Sequence, residues 1–546
     1  MNKINPIIIE LLKKRGISGD AEILEFLSDK PQKTYDPFLL HDLEAGVDLI
    51  LSAINNKKKI CIYGDYDADG VTSVSILMQF FSNFDADITY YIPSRFDEGY
   101  GLNKGAIDYI KNIGTDLIIT VDCGSVSCDE VEHAKEIGLE IIVTDHHSIA
   151  DNAADCILIN PKHPNCKYPF KYLAGCGVAF KLAQGIQRKS GISKRAVNEL
   201  LDLVAIGTIG DIVPLVDENR TLVKYGMNVI KDGHRLGLSK LINGISLNSK
   251  LIKSDNVAFG IVPHLNAAGR MKAAKIGVDL MNCKEINQID VIVEDLIHNN
   301  RNRKRVQEDT FAECDRIIQT LHKDDLFYIV NCEEAHEGIA GIVAGKLKDK
   351  YHRPTIILTP TGEGFLKGTG RSISKINLYN VLKEQEDLFE RFGGHSGACG
   401  LLMQEEKLPI FRSAIADSMK MLLESDPSAF DDDKEADIVL EGKEITFDFI
   451  RDIEKLAPFG SCNERPYIAL EEVVIAKVQY MGSEGKHAKF SACCRDGSVI
   501  QSVFFNRAEE FKDKLFSNSP LRLLGSPEIS EWNGNKRIQF LVSDIK

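Results

Sequence analysis

Residues 59–70, KICIYGDYDADG, decide the fold of the first half of this chain. Their apolar half is typical of a buried β-strand, and their acidic half is typical of a turn. The same order of strand and polar turn returns twice, in 116-DLIITVDCG-124 and in 140-EIIVTDHH-147. A further strand is predicted at 88–92 (ITYYI), and helix-like segments lie between the runs at 71–81 and 127–137. Alternating strands and helices predict an α/β domain with a doubly wound, mainly parallel sheet.

Acidic side chains follow three of these strands directly after the last apolar residue. The turns carry Asp65, Asp67 and Asp69, then Asp122, and then Asp145-His146-His147. Because ligands gather beyond the carboxyl ends of strands in open α/β sheets, we expect the three turns to converge. Carboxylates this close would raise one another's pKa unless cations compensated for their charge. Carboxylates mixed with one or two imidazoles suit Mn²⁺ or Mg²⁺, whereas a thiolate-rich set would suit zinc.

Residues 210–214 (GDIVP) follow an apolar helix and supply a further carboxylate, Asp211. A pair of ions about 3.5–4 Å apart would activate a water and stabilise the departing oxygen of a phosphodiester. The alternative interpretation is that each aspartate caps a helix or closes a turn, which is the usual role of Asp before Gly. That alternative suits any one motif equally well, but the four motifs together favour a metal site.

The rest of the chain divides into three parts. Residues 219–319 are mostly helical in pattern. A second α/β unit begins near Leu326 (LFYIV), continues through a helix at 338–348 and returns as a strand at 355–358. After a polar, acidic linker at 426–434 come five runs typical of strands, at 475–480, 489–494, 499–505, 521–524 and 537–542. Five short strands in close succession predict a small β-barrel of the OB-fold type.

The composition is that of a globular protein, and it favours a cytoplasmic location. The 546 residues are 44% hydrophobic and 27% charged, and no apolar run approaches the ~18–20 residues of a membrane span. Residues 1–16 predict a short amphipathic helix rather than a signal peptide. Thirteen cysteines without a Cys-x-x-Cys pair argue against structural zinc and indicate a reduced protein. The net charge of −14 argues mildly against a protein that coats nucleic acid, but a nuclease with a local basic groove is compatible with it.

Asp145-His146-His147, with GDYDADG and VDCG upstream, resembles the signature of the DHH phosphoesterase superfamily. The likeness extends to the RecJ exonuclease family specifically, from about Asn5 to the end of the chain. The segments that carry it are 35–43 (YDPFLLHDL), 205–214 (AIGTIGDIVP), 263–271 (PHLNAAGRM), 336–347 (HEGIAGIVAGKL), 368–373 (GTGRSI), 392–400 (FGGHSGACG) and Pro458-Phe459-Gly460.

The resemblance implies four parts and an activity. The parts are a DHH catalytic domain with an N-terminal helical segment (1–218), a helical linker (219–322), a DHH-associated α/β substrate-binding domain (323–424) and an OB-fold nucleic-acid-binding β-barrel (435–546). The implied activity is that of a single-stranded-DNA-specific 5′-to-3′ exonuclease in DNA repair and recombination. It would hydrolyse phosphodiester bonds with two Mn²⁺ or Mg²⁺ ions and release 5′ mononucleotides. The implied protein is a monomer that binds single-stranded DNA, works with a helicase and a single-strand-binding protein, and does not bind membranes.

The resemblance also implies roles for individual residues in the first domain. The metal ligands would be Asp67, Asp69, Asp122, His146 and Asp211, with Asp122 as the bridge. His147 would contact the scissile phosphate. Asp65 would be an outer-shell or general-base participant, with a plain turn-former as an equal alternative. Some DHH relatives have a metal-binding His where this chain has Tyr63, and that departure leaves the coordination of one metal open.

A second set of residues would bind substrate phosphate, in a groove that the helical linker holds between the two α/β domains. It comprises Arg270, Arg371, Ser372, Gly393, Gly394 and His395. Paired glycines let the backbone approach a phosphate, and an Arg fork suits its oxygens; a tight turn and solvated surface arginines are the alternatives. The basic run 301–305 would either follow the DNA backbone or form a solvated helix face. In the barrel, Trp532 is a better candidate for base stacking than Phe504 or Phe505, which alternate faces of a strand.

Two rival functions remain open on the sequence. One is a DHH phosphodiesterase of short RNA oligomers or cyclic dinucleotides, but those relatives lack the C-terminal barrel and the NAAGRM segment. The other is an inactive replication scaffold, which predicts eroded metal positions, whereas the aspartates and both histidines are present here.

Overall fold

The computed structural model describes residues 4–95, 98–99, 101–149, 152–271, 273–362, 364–431, 435–482, 485–517, 519–532 and 534–546. The chain forms two compact units. The first contains Met1–Pro93, Glu98–Val262 and Lys434–Lys546, and the second contains Ser94–Asp97 and Pro263–Asp433. The helical stretch predicted at 219–322 therefore contributes to both units, and the first unit contains both ends of the chain.

A five-stranded parallel sheet lies at the centre of the first unit. The elements up to this sheet's last strand are α1 (Pro6–Lys14), α2 (Asp20–Leu27), α3 (Leu43–Asn55), β1 (Ile60–Tyr63), α4 (Ala68–Phe81), β2 (Ile88–Tyr91), α5 (Lys104–Asn112), β3 (Leu117–Val121), α6 (Cys128–Glu136), β4 (Glu140–Thr144) and β5 (Ile157–Ile159). The strand order is β2-β1-β3-β4-β5, with every neighbouring pair parallel. The four predicted strands and the doubly wound parallel architecture are confirmed. β5 was not predicted, because three residues are too few to show a period.

Six helices follow in the described part of the first unit. They are α7 (Gly175–Ser190), α8 (Lys194–Asn198), α9 (Leu201–Gly210), α10 (Asp217–Asp232), α11 (Leu236–Gly244) and α12 (Ser254–Asn256). Helix α7 packs against the sheet, while α9 packs on α4 and α7 and α10 packs on α9. A buried ion pair between Lys181 of α7 and Glu218 of α10 spans 2.6 Å, and the hydroxyl of Tyr168 also donates to Glu218. A Cβ at Gly226 would lie 2.1 Å from the Leu201 carbonyl oxygen, so this glycine permits the close contact of α10 with α9.

The second unit has a mixed five-stranded sheet. Its elements are α13 (Val262–Met271, which starts at the last residue of the first unit), α14 (Lys275–Asn282), α15 (Ile286–Leu321), β6 (Tyr328–Asn331), α16 (Glu337–Tyr351), β7 (Thr355–Pro360), β8 (Phe365–Arg371), α17 (Leu378–Lys383), β9 (Phe389–His395), β10 (Ala398–Gln404) and α18 (Leu408–Ser425). The strand order is β6-β7-β8-β10-β9, in which only β6 and β7 are parallel. The predicted β6, α16 and β7 are confirmed. β8, β9 and β10 were missed as strands, since their glycines depress strand propensity.

The basic run 301–305 lies on α15, and its central residue is not on a solvated face. Arg303 is buried and donates to Asn300 Oδ1 at 3.0 Å and to Gln307 Oε1 at 2.9 Å. The amide of Asn300 in turn pairs with His264 Nε2 at 3.0 Å, which ties α15 to α13. Arg301 and Arg305 are exposed. The predicted alternatives, DNA tracking or a solvated face, therefore apply only to the outer residues of the run.

The C-terminal domain contains the five predicted strands, most of them longer than predicted. Its elements are β11 (Ile438–Leu440), α19 (Phe447–Glu454), β12 (Ile468–Met481), β13 (His487–Cys493), β14 (Val499–Phe504), α20 (Lys512–Leu515), β15 (Leu521–Trp532) and β16 (Asn535–Ile545). The strands pair in the order β11-β12-β13-β14-β16-β15, and β12 also pairs with β15. Phe504 is buried and Phe505 is 53% exposed, as their alternation predicted. The side chain of Trp532 lies outside the described residues.

The N-terminal helices join the core of this C-terminal domain. Ile8, Leu11 and Leu12 of α1 and Ile23 of α2 belong to the same buried cluster as Phe449, Phe490 and Phe540. Arg15 extends the contact by donating to the carbonyl of Glu464 at 2.6 Å. The amphipathic helix predicted at the start of the chain thus buries its apolar face against residues more than four hundred positions away. Among the described residues, no helix has the length and apolar character needed to span a membrane.

Candidate metal centre and phosphate-binding residues

The turn between β1 and α4 presents Asp65, Asp67 and Asp69. Asp67 caps α4, because its Oδ1 accepts from the backbone N–H of Asp69 at 2.8 Å and of Gly70 at 3.1 Å. Capping a helix is one of the two roles that the sequence left open for this aspartate, and it does not exclude the other role, that of a metal ligand. Carboxylate oxygens of Asp65, Asp67 and Asp122 also lie within 4.8 Å of one another, so the capped turn offers ligands to an ion.

Asp122 follows β3 with an unusual backbone. Its φ of 62° is left-handed, a conformation that costs a non-glycine residue energy and is found where the surrounding structure enforces it. The first residue of α7 lies against it, since a Cβ at Gly175 would be 2.6 Å from Asp122 Cβ. Asp122 is therefore held in place from two sides, by its strand and by the start of α7.

A second set of ligand atoms lies around His146. Its Nε2 is 3.1 Å from Asp122 Oδ1, 3.5 Å from Asp211 Oδ2 and 3.9 Å from Asp69 Oδ2. Asp69, His146 and Asp211 form one set within 4.8 Å, and Asp122 belongs both to the set with Asp65 and Asp67 and to the set with Asp145, His146 and His147. The structure thus brings together the five residues predicted as metal ligands, with Asp122 in the middle.

The carboxylate of Asp69 is fixed by the start of α7. The backbone N–H of Gly175 donates to its Oδ2 at 2.6 Å, and that of Cys176 donates to its Oδ1 at 2.9 Å. These are unpaired helix N-terminal donors, which favour a negative charge. Gly207 of α9 faces the same carboxylate, because a Cβ there would lie 2.7 Å from Asp69 Oδ1. The role of 174–177 (AGCG) is not predicted from the sequence, in which two closely spaced glycines are the only sign of a close backbone approach.

The pKa values describe a site with excess negative charge. Burial raises the pKa of Asp69 and raises that of Asp122 well above its usual value, with neighbouring aspartates adding to the effect at Asp122. Burial, followed by Asp69 and Asp67, raises the pKa of Asp211 to about 8. Burial lowers the pKa of His146 to about 4, so its imidazole is neutral at pH 7 and keeps a lone pair for a metal.

These residues fit a pair of hard divalent cations. His146 Nε2 is buried and has no hydrogen-bond partner among the described residues, although carboxylates face it. Carboxylate oxygens outnumber the one imidazole nitrogen, which is the ligand set of Mn²⁺ or Mg²⁺. The thiols of Cys123 and Cys176 are protonated, since burial raises the pKa of both well above its usual value. A thiolate-bound zinc site is therefore disfavoured here.

His147 is held beside this cluster by Asp145. Its Nδ1 lies 2.8 Å from Asp145 Oδ1, and the same oxygen accepts from the backbone N–H of both histidines. Burial opposes ionisation of Asp145, but His147, His146 and the N–H of Ser125 outweigh it and lower its pKa. Burial likewise opposes protonation of His147, but the bond to Asp145 raises its pKa to about 8. The sequence motif predicts no role for Asp145, and the structure shows that it orients the imidazole of His147.

Asn160 completes the support of His147 and was also missed. Its buried amide donates to the His147 carbonyl at 3.0 Å and to Ser125 Oγ at 2.8 Å. The sequence gives no signal for it, because Asn160 follows β5, a strand too short to be predicted. Tyr63 is engaged elsewhere: its hydroxyl donates to the Gly101 carbonyl at 2.9 Å, and its ring stacks on Tyr91.

In the second unit, two of the predicted phosphate-binding arginines lie against the start of α16. Arg270 Nη1 donates to the Gly338 carbonyl at 2.6 Å. Arg371 Nη2 would lie 3.0 Å from a Cβ on Gly341, one turn further along. Burial and the neighbouring Arg95 lower the pKa of Arg371. Two guanidinium groups beside a helix N-terminus suit an anion, and the glycines of HEGIAG permit their approach.

The remaining predicted residues lie at one end of the mixed sheet. Ala398 of β10 pairs with Arg371 of β8 on one side and with His395 of β9 on the other. Arg371 and His395 therefore lie at the same level of the sheet, with one strand between them. Gly394 has a φ of 145°, and a Cβ there would be 2.4 Å from the Ala398 carbonyl oxygen, while Gly393 faces open space. The Ser372 hydroxyl is buried and donates to the Ile376 carbonyl at 2.7 Å. In this arrangement its proton closes a turn and is not offered to a phosphate.

Family models match three parts of the chain. They are the DHH family N-terminal domain at residues 59–208, the DHHA1 domain at 325–421 and the RecJ OB domain at 436–544.

Full-length relatives and a solved structure are also similar. The single-stranded-DNA-specific exonuclease RecJ of Bacillus subtilis (strain 168) is 36% identical, over 99% of this chain and 68% of that protein. The protein of the same description from Escherichia coli (strain K12) is 30% identical, over 100% of this chain and 96% of that protein. The crystal structure of RecJ in complex with Mn²⁺ from Thermus thermophilus has a TM-score of 0.83 at 25% identity and covers 100% of this chain and 76% of its own.

Proposed function

This chain belongs to the RecJ family of single-stranded-DNA-specific exonucleases, and we propose that it removes nucleotides from the 5′ end of single-stranded DNA by metal-dependent hydrolysis. Relatives at 30% and 36% identity align with nearly the whole chain. The observation that carries the proposal is the convergence of His146 and Asp122 with four further aspartates, Asp65, Asp67, Asp69 and Asp211. Such a set destabilises the fold without cations, because its buried charges repel one another.

The ligands for two Mn²⁺ or Mg²⁺ ions would be Asp67, Asp69, Asp122, His146 and Asp211, with Asp122 shared between them. Ions bound there supply a Lewis acid that activates water and offsets charge on the phosphate oxygens. His147 is protonated at pH 7, since its pKa is about 8, and it donates a hydrogen bond to a non-bridging oxygen of the scissile phosphate. Asp65 holds the proton of the attacking water.

Hydrolysis at this centre shortens the strand by one nucleotide. Water attacks phosphorus in line, the bond to the O3′ of the terminal nucleotide breaks, and a 5′ mononucleotide leaves. The shortened strand then carries a new 5′-phosphate. Arg270, Arg371 and His395 of the second unit would bind that phosphate, with Gly393 and Gly394 allowing the backbone to approach it. Recognition of a terminal phosphate gives the 5′ polarity.

The test is digestion of 5′-labelled and 3′-labelled single strands in Mn²⁺ or Mg²⁺, with a duplex as a substrate control. Wild-type protein should release labelled mononucleotide first from the 5′-labelled strand and leave the duplex intact. Asp122→Ala should abolish hydrolysis while DNA binding survives, whereas Asp129→Ala, an exposed aspartate on α6, should match the wild type. Hydrolysis by Asp122→Ala at the wild-type rate would overturn the assignment.

A phosphodiesterase of short RNA oligomers or cyclic dinucleotides is the second candidate. It shares the metal chemistry, but the RecJ OB domain match at 436–544 favours a longer strand as substrate. Comparing rates on a long single strand and on a dinucleotide separates the two functions. A scaffold without activity is disfavoured, because the predicted ligand positions hold carboxylates or imidazoles that lie together.

We also propose a place for this activity in the cell. Single strands are exposed by helicases and covered by single-strand-binding proteins, so a helicase and such a protein are the expected partners. The thirteen cysteines are free, which suits the reducing cytoplasm. DNA repair and recombination are the processes that consume 5′ ends of single strands, and a monomer is sufficient for the chemistry described.

A further inference from the structure

A cavity of about 500 Å³ lies in the first unit, and none of the described residues that line it is a proposed metal ligand. Helix α10 lines it with Lys224 and Lys231, and α19 lines it with Glu454, which Lys455 directly follows. Segment 457–459, Ala-Pro-Phe, closes another side. The volume is within the range of small-molecule sites in proteins, about 300–1,000 Å³. The proposed exonuclease mechanism makes no use of this cavity.

The charge of the cavity is opposite to that of the protein. Six cationic side chains line it, against three acidic ones. The cationic residues are Lys224, Lys231, Lys253, Arg451, Lys455 and Arg465. The whole chain has a net charge of −14, so the local excess of positive charge is not a consequence of composition. A concave surface lined by one sign of charge concentrates ligands of the other sign.

Carboxylates lie within 4 Å of five of the six cations, but pairs this exposed stabilise little: Asp448 is 2.9 Å from Arg451 and Asp452 is 2.7 Å from Lys455. Glu454 is shared, at 3.2 Å from Lys253 and 2.9 Å from Arg465. No carboxylate of the described residues lies within 4 Å of Lys231. The only carboxylate of the described residues within 4 Å of Lys224 is that of Asp29, at 3.9 Å, and it is fully exposed. Burial and the neighbouring Arg220 lower the pKa of Lys224, which reflects a local crowding of positive charge.

The walls also provide surfaces for a flat apolar group. The ring of Phe459 lines the cavity with Met227 and Pro458, and the Arg465 guanidinium lies over that ring, 4.4 Å from its centroid. The amide of Asn228 offers both donors and an acceptor beside them. None of the described lining residues belongs to a strand, so an extended peptide would find no strand edge to pair with. An aromatic surface beside cations suits a base linked to a phosphate.

We propose that this cavity binds a nucleoside phosphate. The inference rests on the proposed function for its source, because the exonuclease reaction both consumes nucleotide units and releases mononucleotides. The phosphate would lie between Lys224, Lys231 and Lys455, and the base would lie against the Arg465 guanidinium that covers the Phe459 ring. The same chemistry is presented by a free 5′ mononucleotide and by one nucleotide of a single strand.

Photocrosslinking tests the proposal in the full-length protein with EDTA present to prevent hydrolysis. The probes are 8-azidoadenosine 5′-monophosphate and a thymidine oligomer that contains 5-iododeoxyuridine. Crosslinks should map by mass spectrometry to the peptides that contain Phe459 or Lys231. A result with the mononucleotide alone identifies free product as the source, a result with the oligomer alone identifies the strand, and either supports the proposal.

Two charge reversals and a matched control measure the affinity. Lys231→Glu and Lys455→Glu should each raise the half-saturating probe concentration at the cavity peptides by about tenfold or more, since each replaces an attraction for phosphate with a repulsion. Lys194→Glu, at an exposed position outside the cavity, should leave it unchanged. Thermal melting shows that each variant is folded, and two variants are used so that the failure of one to fold does not decide the test.

Three results would overturn the proposal. The proposal is overturned by an absence of crosslinks at these peptides with both probes, or by half-saturation that neither charge reversal changes. It is also overturned if an aspartate-rich peptide displaces the probes while inorganic phosphate and deoxyadenosine monophosphate do not. Hydrolysis of single-stranded DNA is measured in parallel with Mg²⁺. Normal hydrolysis without cavity crosslinks would contradict this inference alone, whereas an inactive wild-type protein would contradict the proposed function.

Discussion

Replacing Gly175 with alanine should damage the metal centre while the fold survives. Gly175 is the first residue of α7, and its backbone N–H donates to Asp69 Oδ2 at 2.6 Å. An added Cβ would lie 2.6 Å from Asp122 Cβ and 2.7 Å from Asp122 Oδ1. Gly177, two residues along the same helix, is the matched control, because the three atoms nearest to its Cβ would belong to Leu173, at 3.3–3.8 Å. Neither glycine has a positive φ, so both variants are free of backbone strain.

The size of the effect follows from these distances. Asp122 Cβ must move by roughly 0.8 Å to bring the contact from 2.6 Å to ordinary van der Waals separation at 3.4 Å. Overpacking of this kind costs about 1–3 kcal/mol of stability. A misplacement of about 1 Å at a reacting centre costs about 100-fold in rate. Since Asp122 is the shared ligand, we expect Mn²⁺ affinity to fall by about 10–100-fold and hydrolysis by about 100-fold.

Calorimetric titration with Mn²⁺, the rate of mononucleotide release from a 5′-labelled single strand and thermal melting measure the three effects. Gly177→Ala should stay within about twofold of the wild type in rate, because the nearest neighbours of its methyl group are apolar atoms of Leu173, at 3.3 Å or more. If Gly175→Ala binds Mn²⁺ and cleaves DNA as well as Gly177→Ala does, the assigned position of Asp122 between the two ions is refuted.

Three further predictions concern charge and packing. Asp145→Asn removes the main partner that keeps the pKa of His147 raised at about 8. Only the charges of Asp211 and Asp69 then oppose burial, so the alkaline decline of the pH–rate profile should move from near pH 8 to lower pH, and an unmoved decline would contradict the role of the imidazolium. Mn²⁺ should displace protons at pH 7, because the pKa of Asp211 is about 8 without metal. Calorimetric titrations in two buffers of different ionisation enthalpy should show this release. Mn²⁺ at 100 times its dissociation constant should also add about 2.7 kcal/mol of stability, seen as a higher melting temperature that EDTA reverses. Arg303→Met leaves Asn300 and Gln307 without their buried donor and should cost about 1–3 kcal/mol in urea unfolding, whereas the exposed Arg301→Met should change stability by less than about 0.5 kcal/mol; equal effects of the two would show that the Arg303 network is not structural.

Much of the first domain could be predicted because its signals are local. Buried parallel strands show as continuous apolar runs, and the carboxyl ends of such strands meet at one edge. These two rules alone are enough to predict that Asp67, Asp122 and His146 lie together. They could not show that Asp67 also caps α4, or that Asp145 orients His147, because both depend on where individual oxygens point.

The second unit was harder to predict for the opposite reason. β8, β9 and β10 are rich in glycine, so their strand character comes from pairing with neighbours and not from propensity. Ser372 and Arg303 carry side chains that suit phosphate, yet their hydrogen bonds go to Ile376 and to neutral amides. Residue type alone does not distinguish a surface donor from a buried one.

The sequence by itself determined the alternation of strands and helices, the acidic turns after the strands and the existence of a β-rich C-terminal domain, since each is a pattern of near neighbours along the chain. The tertiary structure alone decided that α1 and α2 pack in the core of that C-terminal domain, that the start of α7 holds Asp69 against Asp122, and that six cations line a cavity beside α10 and α19. These contacts join residues that are far apart in the chain. Periodicity records which face of an element is apolar, but not which distant surface covers it.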